Sequence, residues 1–146
     1  MQSQSSKYSK GFTLIEIMVV VVILSILAAV VVPKIMSRPE EARIARAKQD
    51  IRAMGSALDL YRLDNYSYPT TEQGLAALVE RPADLPEGAN WKAGGYLDRL
   101  PKDPWGAEYL YLQPGSHGEY DLYTYGVDGV AGGDDDGADI GNWNID

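Results

Sequence analysis

Between Gly126 and Asp139 the chain reads GVDGVAGGDDDGAD, five carboxylates with no cation among them. Asp128, Asp134, Asp135, Asp136 and Asp139 offer hard oxygen donors, and the glycines let a backbone fold around an ion. Calcium takes about six to eight oxygens, from carboxylates and backbone carbonyls alike. The spacing is not that of an EF-hand, which places acids at alternate positions and closes with a glutamate. A solvated acidic loop without a ligand is the competing reading of this composition.

A second carboxylate sits in a very different setting. Residues 12–32, FTLIEIMVVVVILSILAAVVV, carry one charge, Glu16. As a helix, these roughly 21 residues span about 32 Å, enough for a hydrocarbon core of about 30 Å. An acid costs about 2.5–3.5 kcal/mol at the bilayer centre and less near an interface. Either Glu16 stays near the headgroups or it receives a cation. The run supplies no Lys or Arg, whereas the free amino terminus of a neighbouring molecule would serve.

The elements that position these groups follow from periodicity and turn residues. Residues 1–11, MQSQSSKYSKG, form a basic leader. A secretory signal would have a shorter apolar region followed by an A-x-A-like site. Pro33 is expected to end or kink the anchor, and Pro39 to open a fresh helix. Ile44, Ala47, Ile51, Met54, Leu58 and Tyr61 then recur every three or four positions, an apolar stripe on one face of a helix running to about residue 62. Thr70 and Gln73 have capping-box spacing and open a short helix through Val79. Residues 81–106 are rich in Pro and Gly, with Trp91 and Trp105 expected to pin this loop to a core. Tyr109–Leu112 and Tyr120–Tyr125 read as an antiparallel hairpin across Pro114, Gly115 and Gly118.

Composition narrows the classes. The formal net charge is −8, there is no cysteine, and no Lys or Arg follows Lys102. The segment 103–146 holds ten Asp or Glu residues, which argues against nucleic-acid binding. Without disulfides, a small domain needs another staple, and a metal is the next candidate. The single histidine, His117, and the lack of a nucleophile motif or a phosphate-binding Gly-rich loop argue against an enzyme.

Lys10-Gly11-Phe12-Thr13-Leu14-Ile15-Glu16 resembles the processing site of type IV pilins and pseudopilins. The resemblance implies that a prepilin peptidase cuts after Gly11 and methylates the amine of Phe12. It also implies that Glu16, the fifth mature residue, acts in assembly through the amine of an adjacent subunit. The segments YPTTEQGLAALVERP (68–82), LPKDPWGAEYLY (100–111) and GVDG…DIGNW (126–143) resemble the major pseudopilins of type II secretion systems.

That family implies an α+β, type IV pilin-like fold: a long N-terminal helix, transmembrane then amphipathic, packed on a small antiparallel sheet with a calcium loop. The expected divisions are a cleaved leader (1–11), a membrane and filament-core helix (12–32), an amphipathic helix (33–62) and a periplasmic domain (63–146). The resemblance assigns a Ca2+ ion to Asp128, Asp135 and Asp136, with the carbonyls of Tyr125 and Val130. It implies a single-pass inner-membrane subunit of a helical homo-oligomer that helps export folded proteins across the outer membrane. The implied partners are the peptidase, an inner-membrane assembly platform and minor pseudopilins. A type IV pilin for adhesion or motility, and a membrane-anchored calcium-dependent binding module, are the alternatives.

Overall fold

The structure, a computed structural model, describes residues 10–146, the side chains of 31–37 excepted. Most of the leader, residues 1–9, lies outside the described residues, as do the side chains of Val31, Val32, Pro33 and Lys34. The chain divides into two units, one ending at Arg38 and one comprising Pro39–Asp146.

Helix α1 spans Leu14–Asn65. Its start is set by a reciprocal cap. Thr13 N–H donates to Glu16 Oε2 at 3.0 Å, and Glu16 N–H donates to Thr13 Oγ1 at 3.2 Å. The helix's first donors are thereby satisfied locally. In the first unit every apolar side chain from Phe12 to Val30 is exposed. Among the described residues no helix is long and apolar enough to cross a membrane. The run read from the sequence ends in Val31 and Val32, outside that description.

Pro39 does not open a new helix; helical backbone continues through it. An internal proline costs about 3 kcal/mol. The turn that follows is held by side chains, since Glu40 accepts hydrogen bonds from Trp105 Nε1 at 2.9 Å and from Arg43 at 3.1 Å.

In the second unit the stripe of α1 is the core. Ala47, Ile51, Met54, Leu58 and Tyr61 are buried, and Ile44 is partly covered. The opposing surface is a three-stranded antiparallel sheet in the order β1 (Leu110–Leu112), β2 (Asp121–Thr124), β3 (Ile140–Gly141). Leu110 pairs with Tyr123 and Leu112 with Asp121, so the hairpin is present with both strands shorter than expected. Strand β3 was not foreseen; it is two residues long, too short to carry a period.

The segment after Thr70 keeps its capping box: Thr70 N–H to Gln73 Oε1 at 3.0 Å and Gln73 N–H to Thr70 Oγ1 at 3.1 Å. The helix it was expected to open is only a 3₁₀ turn, Leu75–Leu78, because Gly74 at φ 60° interrupts it. Trp91 and Trp105 pin the long loop as expected, through Nε1 bonds to Ala77 O and Glu40 Oε1.

Leu58 is 0% exposed and Leu60, two residues on, is 50% exposed. Leu58→Ala is expected to cost about 2–5 kcal/mol in denaturant unfolding of the detergent-extracted chain. Leu60→Ala should stay within about 0.5 kcal/mol. Equal losses would mean that the stripe does not face the core.

Candidate functional site

The acidic loop is the connection between β2 and β3. Pairing of Thr124 with Ile140 brings its two ends together. Two 3₁₀ turns lie within it, Gly126–Asp128 and Asp135–Gly137. The limbs approach closely at Gly126, where an added Cβ would stand 3.1 Å from Ala138 O; at φ 74° this backbone favours glycine.

Asp128 is fastened from both sides. Its Oδ1 accepts Val130 N–H at 3.0 Å. Its Oδ2 lies so near the opposite limb that a Cβ at Gly133 or Gly137 would come within 2.9 or 3.0 Å of it. The glycines thus make room for this carboxylate.

The other expected donors are distributed less compactly. Asp134, Asp135 and Asp136 are exposed, with Asp135 in the left-handed region at φ 51°. Tyr125 precedes the first 3₁₀ turn and packs its ring on Tyr123, and Val130 is exposed. Among the described residues no three acidic or His side chains converge tightly enough to hold a metal. The trio Asp128, Asp135 and Asp136 is therefore not gathered into one cluster.

The ligand set implied by the resemblance leaves out Asp139, one of the loop's five carboxylates. Asp139 Oδ2 accepts Gly132 N–H at 2.9 Å, which folds the loop tip back to its base. Its Oδ1 is buried and has no hydrogen-bond partner. Leaving such an oxygen unmatched costs about 1–3 kcal/mol, more for a charged group. The available signal was its position directly before the apolar residue that enters β3.

At the other end of the chain, Phe12 is 86% exposed and borders a shallow apolar cleft with Ile17, Val20, Val21 and Glu16. Glu16 makes its cap with Thr13, and no ion pair engages it among the described residues.

The chain matches the family model described as "Type II secretion system (T2SS), protein G" over residues 34–143. Residues 6–32 match a prokaryotic N-terminal methylation motif. The type II secretion system core protein G of Pseudomonas aeruginosa is 59% identical over 138 residues, 94% of this chain and 97% of its own. The core protein G of Vibrio cholerae is 58% identical over 135 residues, 92% of each chain. This chain belongs to the type II secretion system protein G family.

The crystal structure of the major pseudopilin from the type 2 secretion system of enterohaemorrhagic Escherichia coli resembles this protein G fold with a TM-score of 0.64. It is 47% identical, covering 74% of this chain and 92% of that one. The α+β pilin-like architecture expected from the resemblance is the one observed. The methylation-motif match spans Gly11, Phe12 and Glu16.

The protein G domain also holds a buried polar clamp beside the loop. Asp121, 2% exposed, accepts the N–H groups of Ser116 and His117 at 2.9 and 3.0 Å and lies 3.0 Å from His117 Nδ1. The His117 ring stacks on Trp143 with centroids 3.8 Å apart. Burial pushes the Asp121 carboxyl up, but the His117 side chain and the two amides outweigh it and hold it below the usual carboxylate value. A depressed folded pKa adds stability above the unfolded value, lost as pH falls through the folded one. The melting temperature should therefore drop on acidification, and Asp121→Asn should be less stable at neutral pH with a flatter acid limb. An unchanged acid limb would show that Asp121 does not carry this dependence.

Proposed function

We propose that this chain is the major structural subunit of a type II secretion pseudopilus, polymerising in the periplasm to help export folded proteins across the outer membrane. The observation that carries this reading is the match to protein G relatives along nearly the whole chain, with the methylation motif at its start. The anchor, residues 12–32, is a single inner-membrane span from which the subunit is drawn into the filament. A prepilin peptidase cuts the Gly11–Phe12 bond and methylates the new amine. The filament grows on an inner-membrane assembly platform, with minor pseudopilins as further partners.

The chemistry of assembly is electrostatic. An α-amine titrates near 8 and is mostly cationic at neutral pH. At about 4 Å, an amine and a carboxylate attract by roughly 4 kcal/mol at an effective dielectric of about 20, before desolvation. Glu16 already uses Oε2 for the Thr13 amide, which leaves Oε1 for the neighbouring subunit's amine. The chain itself is not an enzyme in this reading. Burial raises the phenols of Tyr109, Tyr111 and Tyr120, Tyr120 to about 12, so they stay protonated packing groups at neutral pH. The energy for assembly comes from a partner.

The loop fits calcium by donor chemistry. Its donors are all oxygen, its glycines seat Asp128, and the buried Asp139 Oδ1 lacks a partner. Asp128 and Asp139, with Asp135, Asp136 and the carbonyls of Tyr125 and Val130, are the groups that would hold the ion. A bound calcium would supply the positive charge that ties the two limbs together.

Two measurements test these readings. Glu16→Gln should abolish cross-linkable multimers in cells while leaving the melting temperature of the extracted protein unchanged. A variant that still polymerises would remove Glu16 from assembly. A ligand at 100 times its Kd adds about 2.7 kcal/mol to stability. Chelation should accordingly lower the melting temperature of the wild-type chain, with the response lost in Asp128→Ala and kept in Asp146→Ala. No shift on chelation would sink the calcium reading.

A further inference from the structure

The chain contains two Asp-Gly pairs, Asp128-Gly129 and Asp136-Gly137, both in the loop between β2 and β3. Glycine after aspartate leaves the following amide nitrogen unshielded, so the side-chain carboxyl carbon can be attacked by it. The fold treats the two pairs differently.

Gly137 is engaged. Its N–H donates to Asp134 O at 3.0 Å inside the 3₁₀ turn, and a Cβ built on it would stand 3.0 Å from Asp128 Oδ2. Gly129 is open: a Cβ built there would meet nothing within 4 Å. The Asp128 side chain closes an Asx-type turn spanning the same peptide. Its Oδ1 accepts the N–H of Val130, two residues on, across the intervening Gly129 peptide.

We propose that Asp128 is a self-modification site, converting to isoaspartate through a succinimide formed with the Gly129 amide, and doing so faster than Asp136. In the first step the Gly129 nitrogen bonds to Asp128 Cγ. The nitrogen's proton and the carboxyl hydroxyl leave as water. In the second, water adds to the α-carbonyl of the imide and the bond from that carbon to nitrogen breaks, its proton returning to nitrogen. The main chain then runs through Cγ, and the former backbone carbonyl becomes the free carboxylate. No oxidant or co-reactant is consumed. The product has an extra methylene in the backbone and a carboxylate displaced from its seat against Gly133 and Gly137. Its consequence for an ion in the loop rests on the calcium reading above; the isomerisation does not, and it is tested in chelator.

The detergent-extracted full chain is aged at neutral pH in heavy-oxygen water with chelator, then digested. Electron-transfer fragmentation separates isoaspartate from aspartate. Isoaspartate bearing one heavy oxygen should accumulate several-fold faster at residue 128 than at 136. In guanidinium, where the loop is unfolded, the two rates should converge. Isoaspartate absent at 128, equal or greater at 136, or the same preference kept in guanidinium would each overturn the proposal.

Discussion

The three strands of this sheet have three, four and two residues, too few to persist in water without a covering surface. They exist because one face of α1 covers them. Leu122, Tyr111 and Ile140 are buried in the same cluster as Ile51, Met54, Leu58 and Tyr61. Each well-buried side chain of this kind contributes about 1.5–3 kcal/mol. The sheet in turn sets the loop, since the Thr124–Ile140 pair is the base from which residues 126–139 project.

A domain this small, without cysteine, fastens its irregular segments with buried carboxylates. Asp103 accepts the N–H groups of Trp105 and Ala107 through Oδ1 and the Thr124 hydroxyl through Oδ2, tying the Pro-rich loop to β2. Asp121 does the same for residues 116–117. Arg52 donates to Ile145 O and holds the C-terminal tail against α1. Hydrogen bonds to charged groups contribute about 1.5–3 kcal/mol each, and they do so only when the carboxylate is fully satisfied. Asp139, with one buried oxygen unmatched, departs from that pattern.

The two ends of the chain present opposite physical problems. The N-terminal helix exposes its apolar side chains from Phe12 to Val30, while the C-terminal loop concentrates five carboxylates with no cation among them.

The sequence by itself determined what depends on near neighbours. The apolar run with Glu16, the processing motif at Gly11 and Phe12, the stripe from Ala47 to Tyr61, and the capping box at Thr70 are all set within a few residues. Periodicity and spacing therefore expose them. Tertiary structure alone decided the rest. Pro39 lies within α1, and the turn that follows is tied to a segment distant in sequence by the hydrogen bond from Trp105 to Glu40. Strand β3 exists because β2 pairs with it, not through any period of its own. Among the loop's acids, composition could not separate Asp128, seated beside Gly133 and Gly137, and the half-buried Asp139 from Asp134, Asp135 and Asp136. Their settings depend on glycines and amides that reach them only once the chain has turned back on itself.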